Sequence, residues 1–517
     1  VVFSESLTPR VELRLLVFIM RVLSRSGNSL FLSLLLSGTA CEPSSNELLD
    51  SDEMNSGGDG DPARDSGEGG DGDTGGGGKE PGGVGGSEGT GDPGSLDFPQ
   101  EQCSFDLAAQ FEMVEFSVPV NAQQDRATPV VVTPDNDGGL WLAWTDSPYS
   151  EGVLHAHIRH LNADLEMDGT SLDIPDSVVV GMYAHADGSL AVAHGRRTGP
   201  EPSDPSWAGS PGGPAPNTLF LSRYLGSDEV FTTQIRGGEG YTSDPESTWF
   251  LSDYTGAGVS VSFDGSRYGV FFVIGRFFED ESVHQADEYV EISPEGIVAE
   301  ASRQSWINSH SFWPSSVAVE STIYTLTTAD PFPVWGVRLG SYPAQGEPNH
   351  VTIWPTPDIV DQVTVSGPVA RQGAIFEVGG RLAVTSRTWV DKDDPTVRGD
   401  TEYAAFHSFE TDGSPVAFTP LAAEVTSGND LAVLGARFGS DALTLVAEGA
   451  NAGVFGLAPV TAQVLSVEGE LLSEPVQLDA RLSWASDPVT LADGSVVWPA
   501  VKDNVSKTVQ LARVGCK

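Results

Sequence analysis

From residue 129 onward the chain repeats a single unit. A short apolar run leads into a tight turn, and a second apolar run follows. A connection of variable length then precedes a third run that ends in a polar turn, and a short fourth run closes the unit. The clearest copy is Pro129–Val132, Asp137–Trp144, Leu154–Ile158 and Ser171–Ile174. The next has Val178–Val180, Asp187–Ala193 and Leu219–Tyr224. The first turn recurs at Asp137-Gly138, Asp187-Gly188, Asp264-Gly265, Glu320-Ser321, Gly379-Gly380, Gly439-Ser440 and Asp493-Gly494, mostly about 50–60 residues apart. Val, Leu, Phe and Trp fill the runs, and Gly, Asp, Pro and Ser punctuate them. Helix-period patterns are scarce. This is the pattern of an all-β chain built from hairpins.

Seven four-stranded units with Asp-Gly hairpins resemble a β-propeller. The resemblance covers residues 104–516 and lies in period and pattern. The Trp-Asp signature of WD40 repeats is missing. Thr133–Trp141 is similar to a sialidase Asp-box but has one residue too many before its glycine. Tandem β-sandwiches, or a ring of six or eight blades, are the alternatives. The seventh unit stops after three strands, the last being Thr508–Val514. One strand, Met113–Val120, precedes the first unit. The expectation is that it completes the last blade, antiparallel to 508–514, which brings Cys103 to Cys516. A disulfide there would lock the ring, at a value on the order of 5 kcal/mol as an upper bound for so long a loop.

The third cysteine, Cys41, follows the apolar run Leu30–Leu36 and the small residues Ser37–Ala40. This arrangement resembles the signal and lipobox of a bacterial lipoprotein, whose cysteine is acylated and becomes the mature N-terminus. The chain begins at Val1. A start at Met20 gives a basic n-region with Arg21 and Arg25, and an apolar stretch too short for an ordinary membrane span. The resemblance implies a signal peptide over 1–40, lipid on Cys41 and export. Glu42 after the cysteine favours the outer membrane, with the periplasmic or surface side left open. An ordinary secretory signal with a chance cysteine is the plainer alternative. Residues 41–102 are read as an acidic Gly-rich linker. With 16 acids and two bases over residues 42–102 and almost no large apolar side chains, it is expected to be disordered. Its end-to-end distance would be roughly 40–45 Å. Residues 103–517 form the propeller-like domain.

The net charge is −46, and most of it lies beyond the linker. That excludes a nucleic-acid partner, because such binding depends on Lys and Arg neutralising phosphate. It also argues against electrostatic attachment to anionic lipid. The longest insertions fall after second strands and between units, which share one face of a propeller, so that face is the candidate binding face. Trp207, Trp249, Trp306, Trp313 and Trp389 lie there in the sequence, with the acidic cluster Asp391, Asp393 and Asp394. Trp side chains can stack on sugars or anchor a protein, but Thr248-Trp249 and Ser305-Trp306 also fit packing between blades. No cofactor is expected. Ca²⁺ on the acidic loops is the one candidate metal, and His155 and His157 share a strand face without an evident third zinc ligand. Nucleophile elbows, P-loops and dinucleotide fingerprints are absent. The sequence therefore predicts a membrane-anchored, stalked binding or scaffold module with an unknown protein or glycan ligand. The alternative is a propeller-type hydrolase of extracellular glycans using paired carboxylates.

Overall fold

The computed structural model describes residues 103–516, apart from 124–128, 148–153, 197–217, 238–248, 252–258, 278–282, 310–313, 330–333, 355–366, 369, 391–397, 426–429, 450–458, 483–485 and 501–504. The predicted signal peptide, Cys41 and the linker to residue 102 lie outside these residues.

The chain is a seven-bladed β-propeller. Each blade is an antiparallel sheet, and in blades 1 to 6 the strands run outward in chain order, as in blade 2 with Ser177–Ala184, Ser189–Arg196, Thr218–Leu225 and Asp228–Arg236. The innermost strands of the other blades are Val131–Pro134 in blade 1, Val259–Phe263 in blade 3 and Ser315–Val319 in blade 4. Ala370–Val378, Asp430–Phe438 and Val489–Thr490 serve blades 5, 6 and 7. All seven predicted turns join an innermost strand to its neighbour. Gly188 and Gly494 take φ of +80° and +82° there, which an L side chain adopts only with strain. Blade 4 puts Glu320 at the same kind of turn, at φ +53°. The preceding Asp fixes several of these turns: Asp187 Oδ1 accepts from the Ser189 N–H at 2.9 Å, and Asp493 Oδ1 from the Ser495 N–H at 2.9 Å.

Seven core clusters fill the ring, one between each pair of neighbouring blades. Both faces of every blade are therefore apolar, which explains the near-continuous hydrophobic runs of the inner strands. Trp498, with no exposed surface, packs between blades 6 and 7 and stacks on Phe111 at 6.5 Å. Trp144 lies in the cluster joining blades 7 and 1. Blades 3 and 4 meet through the smallest cluster, where Tyr289 and Tyr342 stack at 3.7 Å.

The ring closes as the sequence predicts. Phe111–Gln123 pairs antiparallel with Val505–Val514, from Phe111 opposite Val514 to Ser117 opposite Thr508, and so becomes the outer strand of blade 7. Its far end, Asn121–Gln123, also pairs with Thr145–Ser147 of blade 1. One strand thus ties the last blade to the first. Cys103 and Cys516 form a disulfide, with Cα atoms 4.6 Å apart and a sequence separation of 413.

Candidate functional site

The seven innermost strands surround a central channel of about 970 Å³. Volumes of this order accommodate a small-molecule ligand. Its walls include Val132, Val261, Val317, Ile375, Val433 and Val489, one residue from each of six blades. Innermost strands have no neighbour on the channel side, so their outer ladder edges also face the lumen. The two ends differ. At one end, the lower, lie the tight turns and short third-to-fourth-strand connections. At the other, the upper end, innermost strands begin and second strands finish. The segments 197–217, 238–248 and 355–366 connect strands at that upper end.

The upper end carries Asp487, which precedes the innermost strand of blade 7. Its Oδ2 accepts a hydrogen bond from Ser315 Oγ of blade 4 at 2.6 Å. Blades 4 and 7 stand on opposite sides of the ring, so this bond crosses the channel. Ser315 Oγ in turn accepts from the Ile375 N–H of blade 5 at 3.3 Å. Burial pushes the Asp487 carboxyl up to about 6, and the Ser315 hydrogen bond offsets only part of that rise. A seam of hydroxyls continues beside it. Ser316 Oγ lies 2.8 Å from Ser260 Oγ and 2.7 Å from Ser262 Oγ, linking blades 3 and 4. Arg387, only 3% exposed, also lines this end and donates to the Leu431 carbonyl at 3.4 Å.

At the lower end two of the channel acids are tied down, while Glu320 is exposed. Glu377 pairs with Arg437 at 3.1 Å. Asp135 binds His160 Nε2, while His160 Nδ1 meets Asp168 Oδ2 at 2.6 Å. Burial alone would lower the His160 imidazole, but the two carboxylates outweigh it and hold it above its ordinary value. The position has counterparts in other blades. His160 lies opposite Trp141, Arg223 opposite Ala191 and Arg513 opposite Val497, at matching steps from their turns. Arg223 binds Asp187 at 2.7 Å, and Arg513 binds Asp493 at 2.8 Å. A cation on the third strand thus clamps the first turn in three blades, and only blade 1 uses a titratable one.

The residues singled out in the sequence are dispersed. Trp249 lies on the short strand Trp249–Leu251, which extends the innermost edge of blade 3 through pairing with Ile274–Arg276. Trp306 lies on the outer strand Gln304–Ser309, and Trp389 on Arg381–Val390. All three are on strands rather than on loops, because strands here run further than the apolar runs that mark them. Trp207, Trp313, Asp391, Asp393 and Asp394 lie outside the described residues, as do the acidic loop 279–281 and Cys41. His157 meets Asp173 at 2.9 Å, and Arg159 meets the same carboxylate at 2.8 Å. Among the described residues no group of three or more His, Cys, Asp or Glu is placed to hold a metal. Asp487 escaped the sequence reading because Ser486-Asp487-Pro488 belongs to no motif and its partner is far away in the chain.

No protein-family model matches the sequence, and no curated protein matches it. Solved structures similar to the chain include an acylaminoacyl peptidase in complex with Z-Gly-Gly-Phe-chloromethyl ketone, at 11% identity and TM-score 0.38, covering 72% of this chain and 49% of that one. They also include the β-propeller domain of the trilobed protease from Pyrococcus furiosus, at 9% identity and TM-score 0.35, covering 72% and 89%. A third is a subtype N10 neuraminidase-like protein of A/little yellow-shouldered bat/Guatemala, at 11% identity and TM-score 0.36, covering 80% and 98%. The chain spans about half the length of the peptidase. At these scores the likenesses carry no argument about activity.

Proposed function

We propose that the chain is an exported binding module, anchored to the cell envelope through lipid on Cys41 and held off the membrane by its acidic linker. The upper face of the propeller meets a protein or glycan ligand. The observation that carries this reading is the asymmetry of the ring. The longest connections and the mouth containing Asp487 share one face, whereas the opposite face consists of tight turns, several of whose acids are already paired. Long connections on a rigid scaffold are the usual carriers of recognition.

Hydrolysis of glycans by two carboxylates is the less favoured reading. Retaining and inverting mechanisms need two acids about 5–10 Å apart. Among the described residues that line the upper end of the channel, Asp487 is the one carboxylate.

The test has two parts. Cys41→Ser should move the protein from the membrane fraction to the soluble fraction of the envelope, and retention in the membrane would refute lipid anchoring. Glycan-array and envelope-protein binding should be measured beside turnover of chromogenic glycosides. Binding without turnover is the expected result. Turnover that vanishes on mutation of channel acids would replace this reading with the hydrolase.

A further inference from the structure

The Asp487 carboxylate is unusual among the charges of this chain. Most described acids either face solvent or meet an Arg or His, as Glu288 meets Arg303 and Arg236, and Asp264 meets Arg267. Asp487 stands at the upper end of the channel. Among the described residues its side chain has Ser315 as hydrogen-bond partner; Arg387 lines the same end but donates to the Leu431 carbonyl. A carboxylate offers about four acceptor directions, and the Ser315 hydroxyl, a neutral donor, fills one. Taking a carboxylate out of water without a counter-charge is costly, and that cost falls sharply when a cation arrives. Below it, Val261 and Val317 keep part of their surface exposed in a channel whose lining is mixed, so an apolar body can lie against them.

We infer that the upper end of the channel binds a primary ammonium group carried on an apolar body, with Asp487 as its counter-charge. The ammonium donates to Asp487, and the body lies against Val261 and Val317 toward the middle of the ring. Metal ions fit the same place poorly. Ca²⁺ takes about six to eight oxygen ligands, and the described residues bring a single carboxylate to this point. The overall acidity of the chain, −46, would also draw cations toward the mouth. The inference rests on reading the chain as a binding module and names the chemistry of one of its ligands.

The probe is n-hexylamine, titrated into the full chain at pH 7.5 by calorimetry, with n-hexanol and hexanoate as neutral and anionic controls. A lysine-containing tetrapeptide, N-acetylated to block its terminal amine, tests whether the ammonium can come from a peptide. Hexylamine should bind in preference to both controls, and Asp487→Asn should weaken it by about 10-fold or more. Ser315→Ala, which leaves the carboxylate in place, should keep hexylamine affinity equal or higher. Thermal melts of both variants establish that they fold. Equal binding of hexanoate, or hexylamine binding unchanged in Asp487→Asn, would overturn the inference. Should glycan or protein binding persist while hexylamine fails to bind, the binding-module reading stands and the ammonium site alone is wrong.

Discussion

The side chains of Asp487 and Ser315 meet at 2.6 Å although they stand 172 positions apart in the chain. They belong to blades 7 and 4, so the contact is a strut across the lumen rather than a link between neighbours. Ionisation of Asp487 is coupled to folding through this position. Its folded value, about 6, is above the ordinary 3.8. The stability it contributes is therefore full below pH 3.8 and is lost as pH rises through 6. Asp487→Asn stays uncharged throughout. The variant should melt with the parent near pH 4 and above it at pH 8. Parallel pH–melting curves for the two proteins would contradict the assignment.

Two buried histidines act in the opposite sense. His194 and His407 are each held down to about 3, His407 by burial and His194 by burial with a smaller push from Arg196. Each imidazole is bonded to serine: His194 to Ser222 at 2.8 Å and His407 to Ser386 at 2.8 Å. Between pH 6.5 and about 3 the unfolded chain takes up protons that these sites refuse, so stability falls as pH falls. Replacing His407 with Gln should flatten the acid limb of a urea-derived stability profile by up to one proton. An unchanged slope would mean that the imidazole is not neutral in the fold.

His160 is the one titratable clamp among three. Its raised value means that its contribution is full below pH 6.5 and is lost as pH climbs through the folded value. His160→Arg copies the residue found at the matching places in blades 2 and 7. It should preserve thermal stability at pH 8–9, where the parent loses a little, roughly 1 kcal/mol or less for a partly exposed pair. Comparison of melting temperatures at pH 6 and pH 9 reads this directly.

Opening the disulfide should cost the ring several kcal/mol, with about 5 as the upper bound from loop entropy. Cys103→Ser with Cys516→Ser should lower the urea midpoint. Reductant should lower the parent by the same amount and leave the double variant unmoved. A reductant effect on the double variant would place the loss elsewhere.

The hairpin turns were legible in the sequence because each pairs a local signal with a local cause. Asp187-Gly188-Ser189 supplies a cap for the turn and a residue tolerant of positive φ, and both lie within three positions. Closure by residues 113–120 was legible because an unassigned strand and a three-stranded unit leave one solution. Strand length was harder. Trp249, Trp306 and Trp389 sit on strands because ladder pairing carries Arg381–Val390 and Gln304–Ser309 past their apolar cores, and pairing partners are not written locally. The Asp487–Ser315 strut was invisible for a stronger reason. It depends on which blades face each other, a property of the closed ring, and nothing in either local segment marks it. The same holds for the clamp of Asp135 by His160, 25 residues on.

The closure of blade 7 also sets how the molecule carries force. Tension applied along the chain upstream of Cys103 reaches a covalent bond before it reaches the strand Phe111–Gln123. It passes through sulfur into Cys516 and the end of the strand Val505–Val514. Those two strands would otherwise be the first seam to tear, since among the described residues their pairing joins the leading strand to the trailing one. With the bridge intact, a pull from the leading end is shared by both partners and cannot peel one from the other. A ring pulled in this way keeps its first and last strands joined for as long as the sulfur bridge holds.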